Sequence, residues 1–221
     1  MSHTEGITRE EVAAALNDVM EISALDINVD VIDGNRVILH GVVDVLAEKH
    51  KAEAVVRSLP GVKAVENSLA VSTDGNVEDG GIKNEIENKL RANPRVRNLG
   101  VEVHKGIVTL HGHVQHIGEA KAAMHTAESA LGVKGVHNDM ELEDETPDGA
   151  TLVNTIEHHL SQHHLSSNVD ARAHRGIVTL VGFAEDGELR ALAQDIAENV
   201  RGVRQVINKI EIDAEKAKYN P

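Results

Sequence analysis

The hydrophobic and polar positions near the start of the chain follow a helical period. Val12, Leu16 and Val19 fall on one helix face, which is the spacing of an amphipathic helix with a buried apolar stripe. Thr8 precedes them and Glu11 follows three residues later, the sequence typical of a capping box. The pattern therefore predicts a helix that begins after Thr8 and buries a narrow stripe.

Strict alternation follows this helix and predicts a β-hairpin. Apolar and polar residues alternate over Ile27–Val31, as in a strand that is buried on one side only. A short turn centred on Gly34 reverses the chain, and the partner strand places Val37 and Leu39 on the inner face.

A second helix and a third strand complete the pattern. Helical spacing resumes through Ala52, Val55, Val56 and Leu59, and this helix is predicted to end at Gly61, the residue type best suited to a left-handed C-cap. The order α-β-β-α-β predicts a small α+β module with two helices on one face of a three-stranded sheet. The other face is expected to be open to solvent or to a partner.

The whole pattern occurs three times. The segment Asp33–Gly41 returns as His104–Gly112 and again as His174–Gly182. Each segment ends in a glycine, and a Gly-Val-x-x-Val segment and an asparagine follow it at constant distances. The Gly-Val segments begin at Gly61, Gly132 and Gly202, and the asparagines are Asn67, Asn138 and Asn208. Self-similarity of this kind indicates tandem modules.

The two later copies repeat the same apolar positions. The first-helix stripes are Ile82, Ile86 and Leu90, then Leu152, Ile156 and Leu160. The hairpins turn at Gly106 and Gly176 and carry Val101, Val103, Val108 and Leu110, then Val169, Ala171, Ala173, Val178 and Leu180. The second-helix positions are Ala123, Ala127 and Leu131, then Leu189, Ala193, Ile196 and Val200.

These patterns predict three tandem modules at 8–73, 80–143 and 150–213. The segments Ser72–Gly81 and Glu143–Ala150 are rich in Gly, Asp and Glu and are predicted to be acidic linkers. The repeated glycines Gly41, Gly112, Gly182, Gly61, Gly132 and Gly202 are interpreted as structural, because a strand or helix changes direction at each of them.

Composition restricts the chemistry. The chain has 41% hydrophobic and 26% charged residues, as folded proteins have, but Phe183 and Tyr219 are its only aromatic residues. There is no cysteine, which excludes disulfides, thiolate metal sites and cysteine nucleophiles. A net charge of -14 and the scarcity of aromatic side chains argue against nucleic-acid binding. The N-terminal segment has no secretion signal, so we expect a cytoplasmic protein, or a periplasmic one if a leader was removed.

The repeated pattern described above resembles the BON domain, the module of bacterial osmotic-shock and nodulation proteins. The resemblance rests on the strand that ends at Gly41, Gly112 or Gly182, on the Gly-Val-x-x-Val segments, and on the α-β-β-α-β order. It covers about residues 8 to 213. It implies binding rather than catalysis, with links to osmotic or membrane stress, to phospholipid surfaces and, in one cytoplasmic relative, to potassium.

Histidine is the one unusual count among residues that carry chemistry, at 14. His111, His113 and His137 are predicted on one sheet of the second module, and His159 and His163 are four residues apart on a predicted helix. Neutral imidazoles grouped in this way could bind Zn, Ni or Cu. Neither group has a carboxylate or thiolate that completes a ligand set, so both are weak metal candidates. Motifs for hydrolases, phosphate loops and dinucleotide binding are absent from the sequence.

The sequence thus predicts a non-enzymatic binding or scaffold protein of osmotic or membrane stress. Its expected partners are other proteins or a second copy, with a phospholipid surface as a further option and nucleic acid excluded. No cofactor is expected. The alternative is a cytoplasmic sensor that binds potassium or a divalent metal ion.

Overall fold

A computed structural model describes residues 6–20, 26–72, 77–94, 96, 99–143, 147–165 and 168–218. The first module contains α1 (Arg9–Met20), β1 (Ile27–Ile32), β2 (Arg36–Val43), α2 (Leu46–Ser58) and β3 (Ala64–Val71). The second contains α3 (Asp79–Ala92), β4 (Gly100–His104), β5 (Ile107–Val114), α4 (Ile117–Glu128) and β6 (Gly135–Leu142). The third contains α5 (Gly149–Gln162), β7 (Val169–His174), β8 (Ile177–Ala184), α6 (Gly187–Glu198) and β9 (Gln205–Ile212), and α7 (Ala214–Lys218) follows it.

The three sheets have the same strand order, with the second strand of each module in the middle. In the first and third modules the hairpin pair is antiparallel, and the last strand is parallel to the middle one. A parallel pair needs a crossover connection, which the second helix of the module provides. Three α-β-β-α-β modules with three-stranded sheets confirm the predicted α+β fold class.

The chain divides into two compact units, and the second module contributes to both. The first unit comprises Met1–Ala92, Val101–Leu110 and Met124–His137. The second unit comprises Asn93–Gly100, His111–Ala123 and Asn138–Pro221.

The core of the first module lies between its helices and one face of its sheet. Val12 and Leu16 of α1 are buried against Val37 and Leu39 of β2, as predicted. The predicted burial of Val19 is wrong, because its side chain is 45% exposed. Met20, which is 6% exposed, is buried in its place. The buried row of α1 keeps a spacing of four residues, as do the first helices of the other modules.

The third module has an equivalent core of its own. Leu152, Ile156 and Leu160 of α5 pack with Val178 and Leu180 of β8, as the helical and strand periods predict.

In the second module the predicted burial of Leu131 is wrong. It is 53% exposed, and Ala130 is buried instead, because α4 ends at Glu128 and helical spacing no longer applies at position 131.

The hairpins reverse through two consecutive residues with positive φ. These are Asp33 and Gly34 in the first module, with φ of 52° and 68°, and Arg175 and Gly176 in the third, with φ of 50° and 79°. Two positive φ values are what a type I′ hairpin turn requires. The sequence predicts the turn at each glycine, and the structure adds the non-glycine residue before it.

The predicted C-caps are not at the glycines. Helix α2 ends at Ser58, and its C-cap Leu59 is extended, while α6 ends at Glu198 with Asn199 as the cap at φ −90°. Gly61 and Gly202 come later and have φ of 89° and 85°. They therefore form the turn between helix and strand rather than the cap.

The predicted linkers are shorter than their composition indicates. Asp79–Gly81 belong to α3, and Gly149 and Ala150 belong to α5; residues 73–76 and 144–146 lie outside the described residues.

The Asp79 carboxylate accepts hydrogen bonds from the backbone N–H groups of Lys105 and Gly106, at 2.8 and 2.9 Å. These bonds hold the pKa of Asp79 below its usual value. This acidic residue therefore ties a helix start to a hairpin turn.

Side chains also cap the starts of α1 and α5. The capping box of α1 forms as predicted, because the Thr8 hydroxyl accepts from the Glu11 N–H at 3.2 Å and Glu11 accepts from the Thr8 N–H at 2.8 Å. The hydrogen bonds that the Glu11 carboxylate accepts from the Thr8 backbone N–H and hydroxyl lower the pKa of Glu11. At α5 the Asp148 carboxylate accepts from the Thr151 N–H at 3.0 Å, which lowers the pKa of Asp148.

Candidate binding surfaces

The glycine in the middle strand lets two strands approach closely. Gly41 has φ of 133°, and a Cβ at this position would lie 2.0 Å from the backbone oxygen of Asp26. Gly182 repeats the geometry, with φ of 131° and a Cβ position 2.0 Å from the oxygen of Asn168. Gly112 has φ of 127°. Only glycine fits a position that combines positive φ with such an approach.

The repeated asparagine fastens the third strand to the second helix. The Asn67 side-chain N–H donates to the carbonyl oxygen of Lys49 at 2.8 Å, and its Oδ1 accepts from the Leu69 N–H at 3.3 Å. Asn208 makes the same pair of bonds, to Arg190 and from Ile210, at 3.1 Å each. Sequence reasoning found these asparagines as part of the repeat but gave them no role.

Among the described residues of the first module, both helices lie on the same face of the sheet, and the other face is open. On this open face β2 presents Arg36, Ile38, His40 and Val42. Val42 is 47% exposed. Arg36 pairs with Glu66 of β3 at 2.6 Å, and His40 lies 3.7 Å from Asp30 of β1.

Arg36 and Glu66 thus pair within this face, and the Asp30 carboxylate lies beside the His40 ring. Exposed pairs of this kind contribute little to stability, and the aliphatic side chains between them stay accessible. A surface with accessible aliphatic side chains and paired charges is suited to a partner whose own surface carries both apolar and charged groups.

The third module presents a more apolar open face. Its middle strand β8 carries Ile177, Thr179, Val181 and Phe183, and Ile207 of β9 lies opposite Thr179 with 37% exposure. The Lys216 ammonium of α7 lies 4.7 Å from the centre of the Phe183 ring, a cation–π contact. Helix α7 therefore covers one end of this face and leaves the other end accessible.

The candidate histidines have different neighbours. His111 lies against Gly100, because a Cβ on that glycine would be 2.1 Å from the ring Nε2. His113 is 3.6 Å from the Glu141 carboxylate, and His137 is exposed on β6. His159 lies on α5, whereas His163 is its C-cap, at φ −106°.

In the part of the chain that the structure describes, no three or more His, Cys, Asp or Glu side chains are arranged to hold a metal ion. The predicted histidine sites are therefore not assembled within those residues. No described helix has the length and apolar character needed to cross a membrane.

The two buried charged residues within the described ranges have structural partners. Glu119 accepts a hydrogen bond from the Gln115 N–H at 2.9 Å. Glu198 accepts from the Lys121 ammonium at 2.6 Å and from the Gln194 amide at 2.8 Å. Both carboxylates thus hold helix ends in place.

Comparison with known families decides the identity of the repeat. The profile of the BON domain matches three times, at residues 4–73, 78–144 and 148–214. The chain belongs to the BON domain family. Each BON match coincides with one α-β-β-α-β module, and together the matches span most of the sequence.

The chain is also similar to the osmotically-inducible protein Y of Escherichia coli (strain K12). The two are 34% identical over 138 residues, which is 59% of this chain and 68% of that protein. The BON domain and this relative indicate a non-enzymatic family.

Two solved structures align over much of the chain at low similarity. The C-terminal domain of CdsD, a structural protein of the Type III secretion system of Chlamydia trachomatis, is 17% identical, with 94% of this chain and 100% of that chain covered and a TM-score of 0.27. The periplasmic domain of the inner-membrane protein PrgH from S. typhimurium is 14% identical, with 91% and 98% covered and a TM-score of 0.23.

Proposed function

We propose that this protein is a non-enzymatic BON scaffold of the osmotic stress response that binds protein partners through the open faces of its sheets. The observation that carries the proposal is the accessible aliphatic surface on those faces, at Val42 in the first module and Ile207 in the third. The relationship to an osmotically-inducible protein supports the link to osmotic stress.

The charge distribution favours a protein over a phospholipid surface. A net charge of -14 opposes approach to an anionic bilayer, and the cation Arg36 on the first open face is already paired with Glu66. Aliphatic side chains bordered by charges of both signs match the composition of ordinary protein interfaces. Membrane contact is therefore an alternative outcome of the test below. Ion sensing and a cytoplasmic location remain predictions from the sequence.

Photo-crosslinking in cells tests this proposal. Benzoylphenylalanine is placed at Val42 or at Ile207, and at Val19 as the matched control, because Val19 is as exposed as Val42 but lies on a helix. After hyperosmotic shock and irradiation, we expect discrete protein adducts from both open-face positions and at least about fivefold less adduct from Val19, since interface contacts concentrate on the binding surface.

Mass spectrometry of the adducts separates the outcomes. Protein adducts from the two open faces support the proposal, and lipid adducts would replace it with membrane binding. Equal adduct yields at Val42 and Val19 would contradict the assignment of the open face, and so would the absence of adducts at all three positions.

A further inference from the structure

The second helices of neighbouring modules make an equivalent contact between a basic residue and a glutamate in both units. Within the first unit, the His50 ring of α2 lies 3.3 Å from the Glu128 carboxylate at the end of α4. Within the second unit, the Lys121 ammonium of α4 lies 2.6 Å from the Glu198 carboxylate at the end of α6. His50 and Lys121 follow Gly41 and Gly112 by the same number of residues, and Glu128 and Glu198 precede Gly132 and Gly202 by the same number.

The acid of each pair is the enclosed partner. The Glu198 side chain is only 8% exposed, whereas Lys121 keeps most of its stem in solvent. Glu128 is likewise more enclosed than His50. A carboxylate as enclosed as Glu198 needs a counter-charge, and Lys121 of the preceding module supplies it. At Glu128 the preceding module places the His50 ring in the equivalent position.

Packing accompanies the ion pair. Ile117, at the start of α4, packs against the hydrophobic core of the third module. The next residue, Gly118, is so close to α6 that a Cβ would lie 2.7 Å from Oδ1 of Asn199. The equivalent positions of the first module are Leu46, which is buried, and the small residue Ala47.

We define these residues as the helix-two contact. Its leading half is an apolar residue, a small residue and a basic residue, namely Leu46, Ala47 and His50 or Ile117, Gly118 and Lys121. Its receiving half is the glutamate at the end of the next second helix, Glu128 or Glu198.

The two ends of the chain depart from this pattern at every position. In the third module the equivalent positions are Gly187, Glu188 and Ala191. The apolar residue, the small residue and the basic residue of the leading half are therefore all missing. In the first module the receiving glutamate is replaced by Arg57, which pairs within its own helix with Glu53 at 2.7 Å.

We propose that successive modules bind each other specifically through the helix-two contact. The first module lacks the receiving half of this contact, and the third module lacks the leading half. These three modules therefore do not bind a second copy of the chain head to tail through this surface. Repeat proteins commonly carry atypical terminal repeats for this reason. An open surface of this kind would otherwise be a heterologous interface that can extend into filaments.

Restoring the missing halves in the full chain tests the proposal. One variant carries Gly187→Ile, Glu188→Gly and Ala191→Lys, and a second carries Arg57→Glu. We expect each variant alone to sediment like the wild type, and an equimolar mixture to form a 1:1 complex in analytical ultracentrifugation. If both variants are folded by circular dichroism and the mixture sediments as the sum of its components, the proposal is overturned.

A charge exchange tests the internal contact independently. We expect Lys121→Glu and Glu198→Lys each to lower the equilibrium constant for folding by at least about tenfold, because the enclosed position loses its counter-charge. The double variant should recover most of that loss, since the pair is restored in reverse. Losses that multiply in the double variant would show that the two residues do not recognise each other.

Discussion

Replacing Gly41 with alanine is expected to destabilise the first module by roughly 3 to 5 kcal/mol, the range of severe single substitutions. Two effects add. The position has φ of 133°, which an L-residue adopts only with strain. The new Cβ would also lie 2.0 Å from the Asp26 carbonyl oxygen, so β1 or β2 would have to move.

Hydrogen exchange measured by mass spectrometry localises this effect. Peptides from β2 should exchange about a hundredfold faster or more in Gly41→Ala, because each 1.4 kcal/mol corresponds to about a factor of ten. Peptides from β8, in the third module, should change far less.

Gly80→Ala is the matched control, because a Cβ on Gly80 in α3 meets nothing within 4 Å. Alanine there should be neutral or stabilising by up to about 1 kcal/mol. Equal effects of the two substitutions would refute the structural role of Gly41.

Truncating Leu39 to alanine is expected to cost about 2 to 5 kcal/mol. Leu39 is fully buried at the centre of β2, between α1, α2 and the neighbouring strands. The core contains no aromatic side chain that could shift to fill the space, so a cavity should remain.

The control for this prediction is Leu131→Ala. Leu131 has the same side chain but is largely exposed after the end of α4, and its truncation should change stability by no more than about 0.5 kcal/mol. Urea unfolding followed by circular dichroism measures both. A cost for Leu131→Ala as large as that for Leu39→Ala would contradict the assigned core.

Local periodicity was sufficient to predict the five elements of each module and their order, but not the short helix α7. The strand period at Val37 and Leu39 and the spacing of four at Ile82, Ile86 and Leu90 directly report which side chains are buried. The errors lie where a period ends. Leu131 follows the last turn of its helix, and at Val19 either of two neighbouring residues could continue the stripe.

Contacts between distant residues could not be predicted from the sequence in the same way. The role of Asn208 depends on the carbonyl oxygen of Arg190, and that of Asp79 on a hairpin turn 26 residues away. Nor does the sequence distinguish Glu198 from the many surface glutamates, because its burial depends on α4 of the preceding module. The signal that could have identified it is the glutamate shared by the second and third repeats and absent from the first.

For the candidate histidines, the sequence predicts where the side chains lie but not which residues surround them. His111 and His113 share a face because side chains alternate along a strand, so their placement was predictable. Their neighbours were not, since His113 lies beside Glu141 and His111 lies over Gly100. Sharing a face therefore does not by itself assemble a metal site.

The most direct test of the proposed function is growth under hyperosmotic salt of cells that lack this gene and carry a variant in its place. We expect Val42→Lys combined with Ile207→Lys, on the two open faces, to fail to restore growth. Val19→Lys combined with Leu131→Lys, at positions that are similarly or more exposed but lie outside the sheets, should restore growth like the wild type, with both proteins folded and equally abundant. Full restoration of growth by the open-face variant would contradict the claim that these sheet faces carry the function.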